Sequence, residues 1–371
     1  MPFKDIFVEY DWNTVKEKIY STRGIDVERA LAKAGYLTPE EFVSLLSPAA
    51  EAYLPQMIEL SRELTFKRFG KTTHLYIPLY LSNKCNNVCT YCGFSFTNKN
   101  LKRITLTPEQ IELEAEAIKR YGFDHVVIVT GEDARDINVE YLTTALGILK
   151  KYFSQVSVEV QPLKTEEYAI LRKAGMHAVI VYQETYNQKS YAEYHPKGRK
   201  RNFFWRLETP ERAAQAGVRK VGMGVLLGLE DWRTDSFFLA LHIDYMRRHY
   251  WQTMYSVSFP RLRPAEGFVG PKVEVSNKAL VQLITAFRLF DADLDLVLST
   301  REPAKLRDLL MTIGITTMSA GSRTEPGAYA IHSHALKQFE ISDTRSPQQV
   351  AKAIQQAGFT PVWKDWEGEL V

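Results

Sequence analysis

From about Thr73 to Gly358 the chain alternates short β-branched or aromatic runs with amphipathic segments of helical period, which restricts it to α/β architectures with a parallel sheet. The strand-like runs cover 74–81, 125–130, 156–162, 178–182, 220–227, 254–259, 294–299 and 315–318. Helical segments fall at 107–121, 139–152, 165–174, 206–216, 234–250, 277–290 and 303–310, with an eighth at 346–358. Thr107-Pro108-Glu109 sets a cap residue, a first-turn proline and an acid at the positive end of a helix dipole. Gly122, Gly175, Gly217 and Gly314 read as helix stops. Eight strand and helix pairs predict a (β/α)8 TIM barrel, placed at 71–358. Residues 1–70 read as a polar, helical N-terminal extension. The last stretch, 359–371, reads as a short tail whose Trp363 and Trp366 pack on the barrel or cap its mouth.

In such a barrel the C-terminal ends of the strands line one mouth, and polar clusters stand there: Glu132-Asp133, Gln161, Gln183-Glu184, Glu230-Asp231, Arg261 and Arg263, Arg301-Glu302, and Ser319 with Arg323. Lys and Arg number 47 against 44 Asp and Glu, a net +3 that leaves no general nucleic-acid or membrane footprint. The apolar runs are strand-length, well short of the roughly 18 residues of a membrane span. The first 13 residues carry Asp5, Glu9 and Asp11 and lack an apolar signal-peptide core, so a cytoplasmic location is expected.

All 3 cysteines, Cys85, Cys89 and Cys92, lie within eight residues of an Asn-rich loop after the first strand. An odd, tight set makes a poor disulfide framework and a good ligand loop. The C-x3-C-x2-C spacing suits a [4Fe-4S] cube with one iron left free of protein ligands. A structural zinc completed by His74 or His125, or an electron-carrying iron-sulfur protein, are the alternatives.

The cysteine loop resembles that of the radical S-adenosylmethionine (SAM) enzymes. The resemblance implies that the open iron is chelated by the methionine amine and carboxylate of SAM, and that a reduced flavodoxin- or ferredoxin-type donor supplies the electron that yields a 5'-deoxyadenosyl radical. Thr130-Gly131-Glu132 is similar to the family's Gly-Gly-Glu motif, with threonine in place of the first glycine, and implies that Glu132 accepts from the SAM ammonium. Gly224-Val225-Leu226-Leu227-Gly228-Leu229-Glu230 resembles the adenine-binding stretch, with Leu226 and Gly228 at the ring. Tyr91 matches the family's aromatic near adenine, Gln183 and Glu184 its ribose contacts, and Arg206 the arginine that pairs with the SAM carboxylate.

Longer segments narrow the likeness: Val181-Tyr182-Gln183-Glu184-Thr185-Tyr186, Tyr255-Ser256-Val257-Ser258-Phe259-Pro260-Arg261-Leu262-Arg263-Pro264-Ala265, Leu298-Ser299-Thr300-Arg301-Glu302 and Ser319-Ala320-Gly321-Ser322-Arg323-Thr324. They resemble the tyrosine lyases of thiamine thiazole biosynthesis. That likeness implies cleavage of the Cα–Cβ bond of L-tyrosine to 2-iminoacetate (dehydroglycine) and p-cresol, with thiazole synthase as protein partner; a lyase acting on tryptophan is the neighbouring alternative. A related hydrogenase maturase carries further cysteines for a second cluster, and none follows Cys92 here. The amino-acid carboxylate needs a fixed clamp, for which Arg301 is the candidate, with Ser319 and Arg323 as helpers. A buried phenol needs a polar partner, and strand phase nominates Tyr255, Glu159 and Gln161. His332 and His334 read as surface residues, and the basic run Lys197, Gly198, Arg199, Lys200, Arg201 as a solvated loop or a docking patch for the partner.

Overall fold

The computed structural model describes residues 1–99, 102–268 and 270–364. Eight strands form the barrel: β1 (Thr72–Ser82), β2 (His125–Thr130), β3 (Gln155–Glu159), β4 (Met176–Glu184), β5 (Lys220–Val225), β6 (Met254–Ser258), β7 (Asp295–Leu298) and β8 (Thr317–Ser319). Each pairs in parallel with its sequence neighbours, and β1 pairs with both β2 and β8, so the sheet closes on itself and leaves no edge. Side chains alternate across the wall. On β1, Leu75, Ile77 and Leu79 are buried in the core under the helices, whereas Tyr76, Pro78 and Tyr80 line the lumen.

The helical segments follow the sequence pattern with one break. Thr107 and Gln110 form a capping box on the helix Pro108–Lys119, each side chain bonding the other's backbone N–H at 3.3 and 3.0 Å. The segment read as one helix at 206–216 is two, Phe203–Leu207 and Thr209–Gln215, because Pro210 starts a new first turn. Gly314 is not a left-handed stop. Its φ is ordinary, and it is small because a Cβ there would meet Ser61 Oγ at 2.9 Å.

The N-terminal helices are not a polar annex. Phe3, Phe7, Val15, Ile19 and Phe42 belong to the same buried core as the barrel helices. Phe42 sits 5.0 and 4.9 Å from Phe287 and Phe290 on the helix Asn277–Phe290, and Trp12 stacks on Phe238 at 5.6 Å. The tail packs at the floor rather than the mouth. A ninth strand, β9 (Thr360–Val362), pairs with Thr72 to His74, Asp124 N donates to Trp363 O (3.2 Å), and the Trp363 ring lies 5.1 Å from Phe123. Trp366 lies outside the described residues. Among the described residues no helix is long and apolar enough to cross a membrane.

After β8 the chain makes a long return over the mouth before the helix Pro347–Gln356. This return is fastened to β7 and β8. Ser342 N and Asp343 N donate to Thr300 O at 2.9 and 3.1 Å, the buried Asp343 carboxylate accepts from Arg307 and Arg345, and Arg307 also donates to Ser319 O. Burial pushes the Asp343 carboxyl up, but Arg345 and Arg307 outweigh it and hold the group below 3.8. Removing one partner of a buried pair strands the other, so Asp343→Ala should lower unfolding free energy by about 3–5 kcal/mol at pH 7. A group with a depressed folded pKa stabilises above its unfolded value and loses that contribution as pH falls through the folded one. Urea titrations followed by circular dichroism should therefore show parent and variant converging below pH 3.8.

Candidate active site

The cysteine loop leaves β1 at the mouth and is built to hold its shape. Arg103 donates to four of its carbonyls, Asn83 O (2.7 Å), Phe94 O (3.0 Å), Ser95 O (2.6 Å) and Asn98 O (3.3 Å). Two glycines admit neighbouring backbone. A Cβ on Gly131 would come within 2.2 Å of Lys84 O, and one on Gly93 within 2.2 Å of Lys337 O. Cys85, Cys89 and Cys92 are free thiols. Burial pushes all three up, Cys92 to about 11, so each thiolate needs a cationic partner such as ligated iron. Three thiols on one rigid loop fit a cluster that takes three protein ligands. His74 and His125 begin β1 and β2 at the opposite end of the barrel, where His125 Nε2 meets Ser157 Oγ at 3.0 Å, so neither completes a site with the cysteines.

Beside the loop runs a chain of alternating buried charges. Glu132, after β2, accepts from Arg206 Nη1 at 3.0 Å and from Asn87 Nδ2 at 2.7 Å. Arg206 also donates to Tyr182 O (2.6 Å) and to Glu184 (3.4 Å), which accepts from Lys200 Nζ at 2.6 Å. Burial raises the Glu184 carboxyl, but Lys200 and Arg206 override it and keep the group below its ordinary value. Tyr91 is buried and donates to or accepts from His195 Nε2 at 2.7 Å, with Lys200 Nζ 5.7 Å from its ring. Leu226 packs with Cys89 and Tyr91. Gly228, at φ +116°, lets Leu262 approach to 3.0 Å of where a Cβ would stand.

Lys200, Asn87, His195 and Arg103 were not singled out by the sequence. Lys200 was absorbed into a basic run that looks solvated, yet Val88 N donates to Lys197 O (3.0 Å) and Lys200 N to Asn87 Oδ1 (3.0 Å), which docks that run on the cysteine loop. Arg199 and Arg201 do stay exposed. His332 and His334 are exposed as well. Gln183 faces away from the mouth, into a small gap with Met223 and His242 under the helices. Strand alternation sends Glu184 and Gln183 to opposite sides.

Below the mouth lies a lumen with a cavity of about 100 Å³. Glu159, Arg301 and Ser319 line it; Tyr255, Gln161 and Arg323 do not. Ser256 and Ser258 take the inward positions of β6, so the Tyr255 hydroxyl donates instead to Met246 O (3.1 Å) and Tyr250 O (2.9 Å) in the outer layer. Gln161 follows the end of β3 and donates to Ile137 O outside the lumen. Arg323 is exposed, held by its backbone to Tyr329 Oη at 3.0 Å. Ser319 Oγ accepts from Thr300 N at 3.1 Å.

Arg301 has no carboxylate partner among the described residues. Its neighbour Glu302 is taken by Arg261 (2.9 Å), and Glu325 caps Thr324 N (3.0 Å). The Arg301 guanidinium lies over the Phe339 ring, 3.4 Å from the centroid, with one donor on Arg261 O at 3.3 Å. Glu159 likewise has no hydrogen-bond partner among the described residues, and burial pushes its carboxyl up to about 7 against the pull of Arg301. A carboxyl raised from 4.5 binds more protons folded than unfolded, so its presence costs stability progressively from pH 4.5 to about 7. Glu159→Gln should match the parent at pH 4.5 and exceed it at pH 8 by on the order of 1–3 kcal/mol, as read from urea unfolding at the two pH values.

Comparison with known proteins agrees with this geometry. Residues 79–240 match the model of the radical SAM superfamily, and residues 258–360 that of the Biotin and Thiamin Synthesis associated domain. The chain is 46% identical over 369 residues to 2-iminoacetate synthase of Escherichia coli (strain K12), covering 99% of this chain and 97% of that one. Among solved structures it is similar to the hydrogenase maturase HydG of Carboxydothermus hydrogenoformans, at a TM-score of 0.85 and 32% identity over 96% of this chain and 82% of that one. Methylornithine synthase shares the fold at a TM-score of 0.70 and 20% identity, covering 91% of this chain and 97% of that one.

Proposed function

The chain belongs to the 2-iminoacetate synthase family of radical SAM enzymes, and from that premise we propose how its own side chains divide the work. It is a carbon–carbon lyase of thiamine thiazole biosynthesis that splits L-tyrosine into 2-iminoacetate and p-cresol with a [4Fe-4S] cluster and SAM. When bound, these supply hydrogen-atom abstraction from the tyrosine amine through a 5'-deoxyadenosyl radical.

Cys85, Cys89 and Cys92 would ligate three irons. Glu132 and Arg206, 3.0 Å apart, offer an acid and a guanidinium side by side, the complement of the ammonium and carboxylate of the SAM methionine. Tyr91, Leu226 and Gly228 would hold the adenine, and Glu184 with Lys200 would border the ribose. Gln183, turned outward, has no part in that reading.

The observation that carries the substrate reading is Arg301, a lumen guanidinium with no salt-bridge partner among the described residues. It clamps the tyrosine carboxylate, with Ser319 bracing the Thr300 backbone beside it. Glu159 ends β3 at the mouth end of the lumen and feels Arg301 as its strongest cation, so it serves the amino-acid head rather than the phenol. With a carboxyl near 7 it accepts the proton of the substrate ammonium. The phenol points deeper, among the hydroxyls of Tyr76, Ser157 and Ser256 that also line the lumen. Anaerobic reconstitution with iron, sulfide, SAM, reductant and tyrosine should release p-cresol and glyoxylate, the hydrolysis product of 2-iminoacetate. Cys89→Ala should give neither and retain no cluster; an indole product from tryptophan at comparable rate would shift the substrate assignment.

The imine product hydrolyses in water, so direct delivery to thiazole synthase preserves it. Arg199 and Arg201 stand exposed beside a groove at the mouth that Trp205 also lines, and they suit an acidic patch on that partner. Charge reversal at both should leave p-cresol formation unchanged, weaken co-purification with thiazole synthase and raise free glyoxylate. Equal binding by parent and variant at low and high salt would place the docking surface elsewhere.

A further inference from the structure

The lumen arginine is half-buried and is held in an unusual way for a cation there. Its neighbours Arg261 and Arg263 bring two more guanidiniums to the same corner, and among the described residues the one carboxylate bonded to the three is Glu302, engaged by Arg261. Arg263 donates to the Arg301 carbonyl, so the backbone of Arg301 is pinned while its side chain is left without an acid. What covers the guanidinium is the face of Phe339 at 3.4 Å. A stacked guanidinium spends its face and keeps its in-plane N–H fork, whereas a carboxylate partner would consume the fork.

Phe339 is itself immobilised on three sides. Thr324 Oγ1 donates to Phe339 O (2.8 Å) and Gln338 N to Thr324 O (2.9 Å), which ties the strap to the chain just after β8. Glu340 N donates to Pro264 O (2.9 Å) in the loop after β6. Gly93 N, next to Cys92, donates to Gln338 O (3.0 Å), and Tyr80 Oη donates to Gln338 Oε1 (2.7 Å). The ring therefore stands where the cysteine loop, β1 and the Arg301 loop all meet.

We propose that Phe339 is a positioning residue for substrate binding: it orients the Arg301 fork toward the carboxylate of the amino-acid substrate without occupying the fork's donors. This rests on the carboxylate-clamp reading of Arg301. Phe339 lines the lumen beside Arg301, and its effect passes through the arginine.

The test is tyrosine dependence in the cluster- and SAM-loaded enzyme, with tyrosine affinity measured separately by equilibrium dialysis. Phe339→Leu should raise KM and Kd for tyrosine by about 5- to 30-fold, the range of a desolvated cation–π contact, and leave kcat and iron content unchanged. Phe339→Tyr should restore both constants, because the ring face is retained. Tyramine, which lacks the carboxylate, should bind parent and Phe339→Leu alike. Arg301→Ala is the reference arm, expected to exceed Phe339→Leu in its effect on tyrosine and to abolish any further effect of Phe339→Leu in the double variant. If Arg301→Ala raises KM and Phe339→Leu does not, the positioning role is overturned and the clamp stands. If neither changes KM, the clamp reading fails and the proposal with it. Equal damage from Phe339→Leu and Phe339→Tyr, or a loss of tyramine binding, would show that Phe339 acts by packing alone and would overturn the proposal.

Discussion

The Arg206 guanidinium is the tie on which the mouth depends. It joins the acid after β2, the backbone and acid at the end of β4, and through Glu184 the ammonium of Lys200. Lys200 and Asn87 carry the connection to the cysteine loop, because Asn87 bonds Glu132 by its amide nitrogen and Lys200 N by its amide oxygen. Burial works against the charges of Glu184, Lys200 and Arg206. Burial and Arg206 both oppose the Lys200 charge, yet Glu184 and the other acids and thiols nearby push its ammonium above the ordinary value. Such a network is stable only when complete, since removing one member leaves another unpaired in a low dielectric. The same completeness fixes where the thiols stand, and so where a cluster can form.

Two arginines at one mouth are thus held by opposite means. Arg206 is surrounded by acids and has a charge-balanced environment. Arg301 has an aromatic face and two more arginines for company. An α-amino acid end needs an acid for its ammonium as well as a cation for its carboxylate, and the Glu132–Arg206 pair offers both. The Arg301 corner has surplus positive charge, which favours an incoming carboxylate, and Glu159 supplies the matching acid from across the lumen. On the proposed reading, the zwitterionic groups of SAM and of tyrosine meet two separate charged corners and do not compete for one site.

The barrel was legible because its signals are local. The eight strands announce themselves by β-branched runs, and the helix after Thr107 by cap and first-turn chemistry that depends on a few neighbours. The cysteine triplet was legible for the same reason. Residues whose role depends on strand phase were harder. Glu159 and Tyr255 were both expected in the lumen, but Ser256 and Ser258 hold the inward positions of β6, and nothing in the local pattern of Tyr255 distinguishes the two faces when both are buried. Lys200 escaped because a run of five basic or glycine residues reads as solvated. The available signal was Gly198 at φ +96°, where a Cβ would meet Asn87 Oδ1 at 2.1 Å, but its meaning appears only once the cysteine loop is beside it.

The division of labour follows the chain. The first half, matched by the radical SAM model at 79–240, holds the cysteines, Glu132 and Arg206; the second, matched by the associated domain at 258–360, holds Arg261, Arg263, Arg301, Ser319 and Phe339. The lumen is lined from both stretches, by Ser157 and Glu159 of the first as well as Arg301 and Ser319 of the second. The two stretches must therefore be kept in register at the mouth, where the strands no longer hydrogen bond. Gln338 meets that requirement, because its carbonyl accepts from Gly93 beside the last cysteine and its side chain from Tyr80 on the first strand. With the next residue stacked on Arg301, a strap of two residues links the cysteine loop to the Arg301 corner, and on the proposed clamp reading it sets the separation on which hydrogen abstraction, intolerant of misplaced partners, depends.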